Sequence, residues 1–120
     1  MILVLVHWKI RDDDSAEAEF LGQWRQSNPD RDRGGLIAEI LSRAGEHPSF
    51  GPLPSAVAGC RNFYTFGMWT SLDAFTAQIG PRFSKRYGFE EEDRVRHLFT
   101  PDSWRRGGAE FPSVNSPGTA

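Results

Sequence analysis

Alternation of apolar and polar positions divides the chain into strands and helices almost from its first residue. In Ile2 to Ile10, the positions Ile2, Val4, Val6, Trp8 and Ile10 share one face of a strand, and Leu3, Leu5, His7 and Lys9 share the other. Both faces begin apolar, which predicts a central strand. Asp12, Asp13 and Asp14 break the run. Asp14 and Glu17 have the spacing of a capping box, with acidic residues in the favoured first turn, so a helix starts there. Ala16, Phe20, Leu21 and Trp24 follow at helical spacing, with Trp24 expected to point inward. Ser27, Asn28 and Pro29 end the helix, because the residue before a proline avoids helical backbone.

A polar stretch from Asp30 to Gly35 leads into Leu36 to Ser42, short and apolar enough for a second strand, with helix as the competing reading. Gly45 to Gly59 carries Pro48, Pro52 and Pro54, which excludes regular structure and gives a loop long enough to cover something. Asn62 to Thr70 is rich in aromatic residues and predicts a third strand, in which Gly67 marks a bulge or a close approach. Ser71 can cap a second helix with Leu72, Phe75 and Ile79 as its buried stripe. Gly80-Pro81 interrupts that helix, and Phe83 to Tyr87 continues it as a second short piece. An acidic run from Glu90 to Asp93 then precedes Arg94 to Thr100, whose alternation predicts a fourth strand with one polar face.

The order strand, helix, strand, strand, helix, strand predicts an α+β, ferredoxin-like βαββαβ domain with a four-stranded antiparallel sheet. We read it as one domain over residues 1–106, followed by a Gly-, Pro- and Ser-rich tail over 107–120 that is loosely held. In this topology the first strand lies between the third and fourth and antiparallel to both. That brings His7 towards Asn62 and Tyr64 on one side and towards His97 on the other, at one mouth of the sheet. Alternation leaves open which face of the first strand meets the helices. A sheet with helices on one side only would leave an apolar face bare, which predicts a homodimer.

Composition narrows the function classes. With 120 residues, 38% hydrophobic and 12% aromatic, the chain can build one core and not two. A net charge of -2 gives no electrostatic footprint for nucleic acid, and no apolar run approaches membrane-spanning length. Both partners are excluded, and a cytoplasmic protein is expected. The single cysteine, Cys60, rules out an intrachain disulfide, and His7, His47 and His97 lack the spacing of a metal site, so no metal is expected.

The segments VHWKI, GLIAEIL and WTSLDAF followed by IGPRF resemble the antibiotic biosynthesis monooxygenase-like domains of the dimeric α+β barrel superfamily, over roughly Ile2 to Thr100. The strongest shared motif is Trp69-x-Ser71-x-x-x-Phe75. The resemblance implies sheets paired face to face in a homodimer and a pocket between sheet and helices in each subunit. Its oxygenase members act without cofactors on electron-rich aromatic substrates. Its haem-degrading members carry an asparagine, a tryptophan and an axial histidine where this chain has His7, Gln78 and Gly88. The resemblance thus implies no haem held by a histidine of the second helix, and no cofactor.

Two functions stay open at this level. In the first, the protein is a cofactor-independent monooxygenase or related tailoring enzyme acting on a small hydrophobic, aromatic substrate. His7 is its base, and Asn62 and His97 are donors that steady the anion. Trp24, Tyr64, Phe66, Trp69 and Gln78 would surround the substrate. In the second, the domain is a non-catalytic homodimeric binder or a structural module, with His7 merely bonded to backbone. Convergence of His7, Asn62 and His97 in one enclosed cavity is the feature that separates them.

Overall fold

The computed structural model describes residues 1–26 and 34–111. Strand β1 (Ile2–Arg11) is followed by helix α1 (Asp14–Gln26), strands β2 (Leu36–Ser42) and β3 (Cys60–Trp69), helix α2 (Leu72–Ile79), a 3-10 turn at Gly80–Arg82, and strand β4 (Glu90–Phe99). The sheet order is β2-β3-β1-β4, and the pairs are antiparallel. This is the ferredoxin-like α+β fold, with β1 central. The helix stop at Ser27 to Pro29, most of the stretch Asp30 to Gly35, and the tail from Pro112 onward lie outside the described residues.

Elements depart from the sequence pattern in four places. Asp13, not Asp14, caps α1: its carboxylate accepts the Ala16 amide at 2.6 Å, and its carbonyl accepts the Glu17 amide at 3.2 Å. The acidic run Glu90 to Asp93 belongs to β4 rather than preceding it, because its backbone completes the ladder with β1. Phe83 to Tyr87 forms turns and irregular chain, not a helix. Leu72 opens α2 exposed, leaving Phe75 as the buried anchor of that helix. Ser71 does cap α2, accepting the Ala74 amide at 3.1 Å.

Both helices cover the face that carries Ile2, Val4, Val6, Trp8 and Ile10. Ile2, Val4, Val6, Trp69 and Phe75 pack as one cluster, and Ile10, Ala16, Phe20, Phe63 and Phe89 as a second, with Trp8 touching both. The opposite face carries Leu3, Leu5 and His7 of β1, paired with Met68, Phe66 and Tyr64 of β3. Among the described residues no helix lies on it. Phe66, Ile40, Val95 and Phe99 on this side are 41 to 52% exposed. Among the described residues no helix is long and apolar enough to cross a membrane.

Candidate functional site

A cavity opens on the helix side of the sheet, where the two core clusters meet. Its floor is built from short or branched residues in facing register, with Val4 opposite Gly67 and Val6 opposite Thr65. Gly67 is the low point. A Cβ there would stand 3.0 Å from Trp69 Nε1, so the missing side chain is what lets the indole and the cavity share this ground. Trp8, Trp24 and Trp69 supply aromatic walls, and Phe75 and Ile79 of α2 close the far side. The space open to the centre of a water molecule is about 90 Å³. Thr65 faces inward but is engaged, accepting the Trp8 indole N–H at 2.9 Å.

Charged groups enter from the two edge strands. Glu39 on β2 lies opposite Gly67 and so faces the cavity. Burial pushes its carboxyl up to about 7, against the opposing pull of the Arg82 charge. From β4 come Arg94 and Arg96, the latter opposite Val6. A register shift in the β1–β4 ladder between His7 and Lys9 sets two β4 residues, Asp93 and Arg94, against Trp8 alone. There the Arg94 guanidinium sits 4.9 Å from the Trp8 ring centroid and 5.2 Å from that of Tyr87. Arg94 also donates to Glu90 at 2.9 Å, to the Arg82 carbonyl at 3.1 Å and to the Lys85 carbonyl. This Arg94–Glu90 pair is almost fully buried, and leaving one charge alone there would cost about 3–5 kcal/mol. It locks the 82–90 segment onto β4.

The sequence-predicted residues divide between the two faces of the sheet. Trp24 and Trp69 line the cavity. Gln78 is partly buried on α2, its side-chain oxygen enclosed without a partner, and it is not part of the cavity wall. His7, Asn62, Tyr64, Phe66 and His97 are on the opposite, helix-free face. His7 and Asn62 do meet: His7 Nε2 is 2.7 Å from Asn62 Oδ1. The Asn62 amide group donates to the Val57 carbonyl at 2.9 Å, and its oxygen accepts the Val57 amide at 3.0 Å. The oxygen therefore faces His7, so the His7 Nε2–H donates to it. His7 stacks on Tyr64 at 4.6 Å, both rings almost wholly buried, with the Tyr64 hydroxyl enclosed and unpaired. His97 is exposed beside Leu5 and stands apart from this group. The three polar residues thus do not converge in one enclosed cavity.

Cys60 donates to the Val57 carbonyl at 3.4 Å, and burial followed by the Glu92 charge raises its thiol, which makes it a poor nucleophile. His47 is an exposed loop residue bonded to the Ser49 amide. Among the described residues no group of three or more His, Cys, Asp or Glu side chains is placed to hold a metal ion.

No family model matches the chain, and no curated protein matches it. Among solved structures, a crystal structure of a MhuD mutant with two manganese protoporphyrin IX bound per active site is similar. Its TM-score is 0.54 at 15% identity, over 88% of this chain and 99% of that one. The two share a fold.

The residues that sequence reasoning missed are Glu39, Arg94 and Arg96. Glu39 had a signal, being a lone carboxylate in an otherwise apolar strand, LIAEILS, where an ionised group is costly to bury. Arg94 and Arg96 form the polar stripe of β4, which the alternation gave correctly and which turns inward.

Proposed function

We propose that the protein is a homodimeric, cofactor-independent monooxygenase or closely related enzyme that ionises a small aromatic substrate in the cavity between sheet and helices, with Glu39 as the base. The observation that carries this reading is the Glu39 carboxyl, raised to about 7 on the wall of an aromatic-lined cavity. A base poised near the working pH is the most effective kind, and burial is the usual way to make one from a carboxyl. Glu39 takes a proton from a phenol or an activated methylene, and the cationic wall from β4 steadies the anion. That anion reduces molecular oxygen. For a methylene the balance is CH2 + O2 → C=O + H2O, with one oxygen atom retained and the other leaving as water.

His7 and Asn62 have a different part in this reading. They tie the loop ending at Gly59 to β1 from the helix-free side, and they contribute no proton transfer. A porphyrin, the ligand of the MhuD structure, fits poorly as a histidine-ligated group, because the chain's three histidines all lie outside the cavity. No step is routed through it.

The test is oxygen uptake with a hydroxyanthrone as substrate. Wild-type protein should consume oxygen at a rate that rises with pH through about 7 as Glu39 ionises. Glu39→Gln should lower the rate about 100-fold or more and flatten the pH profile. Ligand binding without oxygen uptake would favour the non-catalytic binder instead.

A further inference from the structure

The geometry points to an anion subsite at Arg96, so that the ligand of the cavity is an aromatic molecule carrying a carboxylate or similar oxyanion at one end. This deepens the cavity reading above and rests on it. Guanidinium groups outnumber carboxylates around the cavity. Three guanidinium groups, Arg82, Arg94 and Arg96, line it. Arg94 is matched by Glu90 at 2.9 Å, and the Arg82 charge acts on Glu39. Arg96 has no carboxylate within ion-pair distance among the described residues. It packs on the Phe83 ring, 4.9 Å from the guanidinium carbon, which attracts the cation but brings no negative charge, and the one carboxylate acting on it, Glu90, is directly paired with Arg94.

Two further observations agree. The Nε–H of Arg96 is enclosed and has no acceptor, and a buried donor of this kind is normally satisfied. Burial, followed by the neighbouring Arg94 charge, lowers the proton affinity of Arg96, outweighing the opposing pull of Glu90 and Tyr87. Even so shifted, an arginine stays charged at neutral pH. An oxyanion in the cavity would bond the terminal N–H groups of this guanidinium, supply negative charge and form the stronger kind of hydrogen bond, with a planar fork matched to a planar acceptor.

Strand spacing then sets the shape of the molecule. Arg96 is on β4 and Glu39 on β2, the two edges of a four-strand sheet, so their backbones are three strand intervals apart across the sheet, about 14 Å, and offset by two residues along it, about 16 Å in all. Side chains reaching inward from both edges shorten that span to the length of a fused bicyclic or tricyclic ring system. Val4, Val6 and Gly67 give such a ring a flat apolar bed. The ligand lies across the strands, its oxyanion at Arg96 and its ionisable hydroxyl or methylene towards Glu39.

The probes are 2-naphthoate and 2-naphthol, one ring system with and without the charge, titrated against the intact protein by quenching of its tryptophan fluorescence. Trp8, Trp24 and Trp69 line the cavity and report occupancy. Wild type should bind the naphthoate about tenfold more tightly than the naphthol, the gain expected of one charge-assisted bond. Arg96→Gln should remove that preference by weakening naphthoate binding about tenfold more than naphthol binding, and Arg96→Lys should keep part of it. Equal binding of the two probes by wild type would overturn the subsite and leave the cavity reading standing. Equal loss of both probes in Arg96→Gln would assign Arg96 to wall packing and also overturn it. Binding of neither probe by wild type would overturn the cavity reading and the subsite together.

Discussion

Glu39 shows most directly how one side chain couples fold and chemistry. In the unfolded chain its carboxyl titrates near 4.5, and in the folded protein near 7. Below about pH 4.5 both states hold the proton, and Glu39 adds nothing to the pH slope. Between the two values the folded state keeps a proton that the unfolded chain has released, so stability falls as pH rises, and above about 7 the cost is constant. The full penalty is about 3 kcal/mol at most. Glu39→Gln should therefore be more stable than wild type at pH 8 and indistinguishable from it near pH 4, by denaturant midpoint. A wild-type midpoint that does not fall between pH 5 and 8 would mean that the carboxyl is freely hydrated. The residue proposed as the base is thus expected to weaken the fold, as active-site groups often do.

At the scale of elements, the sheet is held in place by local chemistry at its joints. Gly35 leads into β2 with φ at +103°, and its carbonyl accepts the Thr70 amide at 2.7 Å, joining the start of β2 to the end of β3. A Cβ at Gly35 would come within 2.6 Å of Ala74 Cβ on α2. Backbone strain and contact act in the same direction, so Gly35→Ala should cost about 2 kcal/mol or more in denaturant unfolding. Gly34→Ala is the informative control, since it shares the positive φ but meets nothing within 4 Å and should cost less. Equal losses at the two positions would show that the Ala74 contact is relieved by a small shift. Such joints are partly legible beforehand: Ser71 as the cap of α2 follows from residue type, which also narrows Gly67 to a bulge or a close approach, of which the structure shows the second. The cap of α1 moved one residue, to Asp13, because three consecutive aspartates offer the same chemistry and only the chain's exit from β1 selects among them.

For the whole molecule the governing feature is the sheet's uncovered face. Phe66, Ile40, Val95 and Phe99 stand about half exposed on it, while the helices occupy the other side. An apolar surface of this kind is usually an interaction site, and a second copy of the chain presents a matching one. Sedimentation at micromolar concentration should give a dimer, and Phe66→Asp should shift it to monomer by placing a charge in the middle of the face. A wild-type monomer under those conditions would sink the dimer and leave the cavity assignment untouched, because the described cavity is built within one chain.

The sequence by itself determined the element order, the ferredoxin-like topology, the central place of β1 and the meeting of His7 with Asn62. All of these follow from periodicity, turn residues and pairing order, which are local signals or short inferences from them. Trp24, which its helical spacing turned inward, and Trp69 both line the cavity. Only the tertiary structure decided which face of each strand the helices cover. Ile2, Val4 and Val6 compete with Leu3 and Leu5 on nearly equal terms, and a period of two cannot rank two apolar faces. Packing against Phe20 and Phe75 settled the choice, and with it every assignment that depends on parity. His7, Asn62, Tyr64, Phe66 and His97 went together to the helix-free side, while Glu39, Arg94 and Arg96 turned inward. A site made by residues from both edge strands has no sequence signature, because it exists only once the sheet is assembled and one of its faces is roofed.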